Sequence, residues 1–155
     1  MTQTSLIDIN SLINSKNKSS KNWYEHNFLF NKISELLGEK LKELGNNYDK
    51  ILLLSSDAGE SLENSIKVSF SKLIFLSPYK NLLNKKKIQS NKILKVESHF
   101  ENLPLKNEKF DLIISNLCIN SIIDKKRHLN EIYQLLKVNG LIILHFVIII
   151  TILFQ

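Results

Sequence analysis

Four short apolar runs, separated by segments with helical or polar patterns, constrain the fold of this chain most strongly. They lie at residues 50–54, 72–76, 93–96 and 110–115. A short continuous apolar run between polar turns is typical of a strand that is buried on both faces, as in a parallel sheet. A fifth strand is predicted from Leu141 onward, after a break at Asn139 and Gly140.

Helical patterns fill the segments between these runs. Residues 23–44 repeat apolar side chains at three- and four-residue steps, which predicts one helix with a single buried stripe. The members of that stripe are Leu29, Ile33, Leu36, Leu37, Leu41 and Leu44. A shorter helix is predicted over residues 60–68.

Two further helices are predicted from their first residues. Ser77 and Pro78 supply an N-cap and a proline at the first helical position, so a helix should continue to about Lys87. Asp124 predicts the cap of the last helix. The apolar face of that last helix is predicted to consist of Leu129, Ile132, Tyr133 and Leu136.

This alternation predicts a doubly wound α/β fold with a mostly parallel sheet and right-handed crossovers. We expect residues 1–22 to form a flexible N-terminal arm with one short helix, and residues 23–155 to form one domain. In such sheets, ligands bind beyond the carboxyl ends of the strands, near the point where the strand order reverses. We therefore expect ligand-binding residues in the segments that follow the strands, at residues 55–59, 77, 99–101 and 115–120.

Composition narrows the function classes. Lys and Arg number 21 against 15 Asp and Glu, a net charge of +6, but Arg127 is the single arginine. Nucleic-acid binders use arginine forks and interleaved aromatics, so this charge favours solvated faces over a nucleic-acid surface. One cysteine, Cys118, excludes an internal disulfide, and the four histidines lack metal-ligand spacing. With no visible secretory signal, a cytoplasmic setting is predicted.

Three segments at matching separations carry a family resemblance. They are Glu-Asn-Leu-Pro-Leu at 101–105, Phe-Asp-Leu-Ile-Ile-Ser-Asn at 110–116, and Leu-Leu-Lys-Val-Asn-Gly-Leu-Ile-Ile at 135–143. They resemble the S-adenosylmethionine-dependent methyltransferases of the doubly wound class, methyltransferase type 11. The leading helix, with Asn27-Phe28-Leu29, resembles one branch. That branch holds the carrier-protein methyltransferases of biotin synthesis and the methyltransferase-like assembly factors of respiratory complex I.

The resemblance implies a cofactor, S-adenosylmethionine, and a position for each of its parts. The methionine tail would lie beside Ser55, Ser56, Asp57 and Gly59, and the ribose by Ser77. The adenine would lie by His99 and Phe100, with Asn116 at the floor of the site. No catalytic side chain is proposed, since positioning of the methyl group is the main task. The spacing of the histidines predicts no metal site. The methyl acceptor stays open, with a protein or a carrier-bound acyl group as possibilities.

The sequence departs from the family pattern at the cofactor anchors. Gly59 is the one glycine left of three, and Leu53 replaces an acid in the first strand. Ser77 and His99 replace the acids that would bind the ribose and the adenine. Losing charge-assisted hydrogen bonds of about 1.5–3 kcal/mol each would weaken cofactor binding. A non-catalytic assembly or binding module that keeps the fold without the cofactor is therefore the alternative function.

The family's sheet continues with two more strands after the fifth, whereas this sequence stops at Gln155. We expect the fold to lack those two strands. The apolar stretch 141–154 is short for a membrane span, which needs about 20 residues. We interpret it as a strand that overruns in a truncated product rather than as a membrane anchor. Such an end would need a partner to cover it.

Overall fold

The computed structural model describes residues 8–45, 47–106 and 108–146. The five strands are β1 (Asn47–Ser55), β2 (Ser69–Ser77), β3 (Ile93–Glu97), β4 (Phe110–Asn116) and β5 (Leu136–His145). The helices are α1 (Ile9–Ser19), α2 (Trp23–His26), α3 (Phe28–Leu44), α4 (Glu60–Ser65), α5 (Lys80–Leu83) and α6 (Lys125–Leu135). The predicted overrun at residues 147–155 lies outside the described residues.

The five strands form one sheet in the order β3-β2-β1-β4-β5, and every neighbouring pair is parallel. The predicted doubly wound α/β fold is confirmed. The strand order reverses between β1 and β4, where Leu53 lies opposite Phe75 on one side and Ile114 on the other. The crevice beyond the carboxyl ends of β1 and β4 is therefore the expected ligand position.

Strand β1 is the centre of two apolar cores. Its residues Ile51, Leu52, Leu53 and Leu54 have no exposed surface. Leu52 and Leu54 pack into the core that contains Trp23 and Ile113, whereas Ile51 and Leu53 pack into the core that contains Leu37 and Leu112. Because successive side chains point to opposite faces of a strand, one apolar run supplies both layers.

The leading helix differs from its prediction in two ways. It is interrupted at Asn27, so that α2 and α3 replace one helix. Its buried residues are Ser34, Leu37, Gly38 and Leu41, while Leu29 and Leu36 of the predicted stripe are 46% and 49% exposed. The buried face of α3 carries small residues because it packs closely on α4. At position 38, for example, the Cβ of any larger residue would lie only 2.8 Å from Asn64 Oδ1 of α4.

The helix after β2 is shorter than predicted. Ser77 is the last residue of β2, and its hydroxyl accepts a hydrogen bond from the N–H of Tyr79 at 3.3 Å. Helix α5 ends at Leu83, well before Lys87, since the Lys85 N–H turns back to the Leu82 carbonyl in a tighter three-residue step. The predicted N-cap role of Ser77 is therefore wrong, and the serine supports a turn instead.

The predicted cap of α6 is confirmed, because Asp124 Oδ1 accepts from the N–H of Arg127 at 2.9 Å. The predicted apolar face is wrong in part. The buried residues are His128, Ile132 and Leu135, whereas Tyr133 is 76% exposed. Residues 128, 132 and 135 are spaced by four and three, which places them on one stripe, and position 133 lies beside it.

The break expected at Asn139 and Gly140 lies inside β5 instead of before it. Asn139 adopts a left-handed φ of 63°, and the register of β5 against β4 shifts between Phe110 and Leu112. This irregularity is a bulge, which bends the strand without ending it. None of the helices in the described ranges combines the length and hydropathy that a membrane crossing requires.

Asp111 joins three strands at the amino edge of the sheet, and this arrangement gives a stability prediction. Its carboxylate accepts from the N–H of Lys50 at 2.7 Å and of Asp49 at 3.1 Å, and Lys137 Nζ lies 3.0 Å away. Burial pushes the pKa of Asp111 up, but these donors outweigh burial and hold the pKa below its ordinary value of 3.8.

We expect Asp111→Asn to lower the free energy of unfolding at pH 7 by about 1 kcal/mol. Because the pKa is lower in the folded state, this stabilisation is present above pH 3.8 and disappears as the pH falls through the folded value. Urea unfolding between pH 2 and 7 measures both effects. Asp8→Asn at the exposed cap of α1 is the control, and an equal loss in the two variants would contradict the prediction.

Candidate functional site

The predicted site residues lie at the carboxyl edge of the sheet, at the ends of four strands. Ser55 ends β1 and is followed by Ser56, Asp57 and Gly59 in the turn to α4. Ser77 ends β2, His99 and Phe100 follow β3, and Asn116 ends β4. The parallel sheet thus gathers them along one edge, at the crevice where the strand order reverses.

Asp57 is the centre of a buried hydrogen-bond network. Its Oδ1 accepts from the N–H of Gly59 at 2.9 Å, and its Oδ2 accepts from the N–H of Ser61 and from Asn116 Nδ2, both at 3.0 Å. Ser55 Oγ accepts from the N–H of Asp57 at 3.2 Å. Burial raises the pKa of the Asp57 carboxyl, and the charge of Glu60 adds to the rise. Each carboxylate oxygen therefore already has a donor from the protein.

Glu60 is a second buried carboxylate at this turn. Its Oε1 accepts from Trp23 Nε1 at 2.7 Å and from Asn27 Nδ2 at 2.9 Å, and its Oε2 accepts from the N–H of Ala58 at 2.8 Å. It joins the leading helices α2 and α3 to the turn after β1. Sequence analysis missed Glu60, although its place in the first turn of α4 is readable in the sequence.

Three of the predicted residues, Ser77, His99 and Phe100, lie apart from this network. Ser77 is fully buried with its hydroxyl turned to the Tyr79 N–H. Phe100 is 2% exposed, and its ring lies edge-on to Tyr79 at 6.3 Å. His99 is half-buried in the turn after β3. Gly59, by contrast, belongs to the network through its N–H. It has a left-handed φ of 109°, and a Cβ there would lie 2.7 Å from Lys86 Cγ.

A pocket of about 360 Å³ opens at this edge, beneath α1. Its lining is mainly apolar and aromatic, with a single cationic side chain. The lining residues are Leu12, Lys16, Phe30, Ser56, Tyr79, Leu117, Asn120 and Ser121. Of the predicted site residues, Ser56 alone lines the pocket, and the buried network forms the layer beneath it.

Lys16 of α1 lies among three aromatic rings at this pocket. Its ammonium nitrogen is 5.0 Å from the ring centre of Phe30, 5.7 Å from that of Trp23 and 5.8 Å from that of Tyr79. Burial lowers the pKa of Lys16, while the charge of Asp57 opposes this shift. Sequence analysis missed Lys16, because its role depends on where α1 packs and nothing in its local pattern signals that position.

Two other groups at this edge are held in neutral forms. Cys118 is fully buried, and burial raises the pKa of its thiol, so the thiol stays protonated at neutral pH. Burial also lowers the pKa of His145, whose Nδ1 lies 3.3 Å from Asn116 Oδ1. Within the described ranges, no three metal-ligating side chains come together.

The Asp57 network gives a second stability prediction. Asp57→Asn should lower the free energy of unfolding by about 1–3 kcal/mol, because the amide nitrogen would face a buried N–H donor in either orientation. Chemical denaturation measures the change. Asp124→Asn is the matched control, because asparagine and aspartate cap helices about equally. This substitution should lower the free energy of unfolding by no more than about 0.5 kcal/mol. Equal effects of the two substitutions would show that the network is not needed for stability.

Solved structures share the fold. A candidate S-adenosyl-L-methionine-dependent methyltransferase from Methanococcus maripaludis is 22% identical with a TM-score of 0.69, over 90% of this chain and 64% of that one. A candidate methyltransferase complexed with a methyltransferase activator from Haloferax volcanii is 13% identical with a TM-score of 0.69, over 87% and 58%. This chain therefore spans about three fifths of the length of these two relatives.

A third structure, an S-adenosylmethionine-dependent methyltransferase from Clostridium acetobutylicum, is 25% identical with a TM-score of 0.57, over 70% of this chain and 47% of that one. No curated protein matches the sequence. The sequence model described as "Methyltransferase domain" matches residues 61–144, which run from α4 into β5 and make up more than half of the chain. With this match and the five-stranded parallel sheet, the chain belongs to the methyltransferase domain family.

Proposed function

We propose that this chain is an S-adenosylmethionine-dependent methyltransferase-like protein that takes the adenosyl group in the pocket beneath α1. The position of the pocket carries this proposal, because it opens at the reversal of strand order between β1 and β4. A methyltransferase domain match and methyltransferase neighbours support it.

The pocket lining fits the adenosyl part of the cofactor. Phe30 and Tyr79 supply aromatic surface and Leu117 supplies apolar surface, which suits a flat base, and the Ser56 hydroxyl supplies a polar contact. We propose that Ser56 and the backbone of residues 55–57 contact the ligand. When bound, the sulfonium would supply an activated methyl group.

The other predicted residues have supporting roles in this proposal. Ser55, Asp57 and Asn116 hold the shape of the turn through their mutual hydrogen bonds. Gly59 completes that turn, and Phe100 supports the ring of Tyr79 from behind. Ser77 and His99 do not line the pocket, and neither supplies the carboxylate that would anchor the ribose or the adenine.

We propose the methyl acceptor and the branch from the sequence resemblance. A protein or a carrier-bound acyl group is the proposed methyl acceptor, in line with the branch of biotin-pathway methyltransferases and complex I assembly factors. A reduced, cytoplasmic setting and a surface that does not bind nucleic acid or membrane stay predictions from composition.

One observation favours a second function, a non-catalytic assembly module. Each carboxylate oxygen of Asp57 and Glu60 already accepts at least one hydrogen bond from the protein, so neither buried acid at the turn after β1 depends on a ligand for a partner. A protein partner suits this alternative, and one structural neighbour is a methyltransferase in complex with an activator.

Isothermal titration separates the two functions. The cofactor-binding proposal predicts measurable heats with S-adenosylmethionine or with S-adenosylhomocysteine, at dissociation constants in the micromolar to submillimolar range. If neither ligand gives a heat of binding at millimolar concentration, the cofactor-binding proposal is overturned and the assembly module remains. A circular dichroism spectrum of the same sample checks that the protein is folded, so that an absence of binding heat cannot be due to loss of structure.

Restoring an acid at the end of β2 should strengthen binding. Ser77 does not line the pocket, but its hydroxyl accepts from the N–H of Tyr79, which does. We propose that the longer side chain of Ser77→Asp reaches the ribose hydroxyls from there, and charge-assisted hydrogen bonds of about 1.5–3 kcal/mol should raise the affinity about tenfold or more. Ser69→Asp, at the other end of the same strand and exposed, is the control and should leave the affinity unchanged. A folded Ser77→Asp variant with unaltered affinity would argue against the ribose position.

A further inference from the structure

Helix α1 covers the pocket without being firmly packed. None of its residues, Ile9–Ser19, is fully buried. Its Leu12 and Lys16 line the pocket, and Ile13 packs against the edge of the core. An element with so few buried apolar contacts opens at a low free-energy cost compared with the sheet.

The polar contacts that hold α1 are few, and the two that it makes with Asn81 are exposed. Asn17 accepts from the N–H of Asn81 at 3.2 Å through Oδ1, and its carbonyl accepts from Asn81 Nδ2 at 3.1 Å. Lys85 Nζ donates to the carbonyl of Ser20 at 2.6 Å. Water can replace the two exposed Asn81 contacts when the helix moves, so their net contribution to the free energy is modest.

The contact of Lys16 with the aromatic rings is different in kind. Trp23 lies in α2, Phe30 in α3 and Tyr79 in the turn between β2 and α5. All three ring centres lie within 6 Å of the Lys16 ammonium nitrogen. A cluster of aromatic faces attracts a cation, most strongly where water is excluded. Aromatic cages of this kind hold organic cations such as quaternary ammonium groups.

We propose that α1 is an internal plug of the pocket, in which the Lys16 ammonium occupies an aromatic cage that a cationic ligand centre would otherwise use. This inference rests on the proposed function for the identity of the ligand, but the cage and the plug belong to the chain itself. A cationic ligand centre can then use the cage only if Lys16 leaves it and α1 moves, whereas a neutral ligand can bind in the pocket beside Lys16.

The plug also discriminates between ligands by charge. S-adenosylmethionine carries a sulfonium, whereas S-adenosylhomocysteine has a neutral thioether at the same position. Any ligand in the pocket lies beside Lys16, and two like charges within a few ångströms repel each other strongly where water is largely excluded. The closed form should therefore prefer the neutral thioether by about tenfold, and this preference should depend on Lys16.

The first test needs no ligand. Trp23 is the single tryptophan of the chain, so intrinsic fluorescence reports on the cage directly. Lys16→Met removes the charge and keeps an unbranched side chain, and Lys18→Met on the exposed side of the same helix is the matched control. We expect Lys16→Met to change the Trp23 emission and to reduce amide-exchange protection in α1 about tenfold.

These two readouts decide whether the plug exists. If Lys16→Met and Lys18→Met give the same emission and the same exchange protection, the plug is overturned. If Lys16→Met alters both and Lys18→Met alters neither, the plug is supported, whatever the ligand measurements give.

The second test titrates the same variants with both ligands. We expect Lys16→Met to bind S-adenosylmethionine about tenfold more tightly than the wild type and to lose the preference for S-adenosylhomocysteine, with Lys18→Met unchanged. An unaltered ratio of the two affinities would overturn the charge discrimination. If no variant binds either ligand, the proposed function is overturned. The fluorescence and amide-exchange results would still show whether α1 acts as a plug.

Discussion

Burial of β1 on both faces is the constraint on which the rest of this molecule depends. Four successive residues, 51–54, have no exposed surface, and they supply the two cores that hold the helices on either side. A strand so placed must have neighbours on both edges, which are β2 and β4. The chain then leaves β1 at the reversal of strand order, so the turn at 55–59 lies at the crevice.

The turn after β1 is held by side chains instead of by a glycine-rich backbone. The carboxylates of Asp57 and Glu60 together accept hydrogen bonds from five N–H groups, which belong to residues 23, 27, 58, 59 and 61. Asp57 accepts one more hydrogen bond from the side-chain amide of Asn116. Buried polar groups are costly unless they are paired, and here the pairing is complete within the chain. The turn at the crevice is therefore held by hydrogen bonds within the chain, with no ligand needed to pair its buried carboxylates.

The sheet could be predicted from the sequence because its signals are local and strong. Continuous apolar runs predicted strands β1, β2 and β4, and the capping residue Asp124 predicted the start of α6. Helix faces were harder to predict, since Gly38 decides which side of α3 packs on α4 through a contact with Asn64. The turn residues were placed at the correct edge, yet their partners were not foreseeable. Lys16 and Glu60 meet aromatic and amide groups that are distant in sequence, and no spacing rule encodes such meetings.

Gly59 has two reasons to remain glycine that have nothing to do with a cofactor. Its backbone is left-handed, and the aliphatic part of Lys86 lies against the place where a side chain would begin. Lys86 is itself fixed by an ion pair with Glu63 at 2.8 Å. Purifying selection at this position across related genes would therefore record local packing, and an invariant glycine here is no evidence of an inherited nucleotide site.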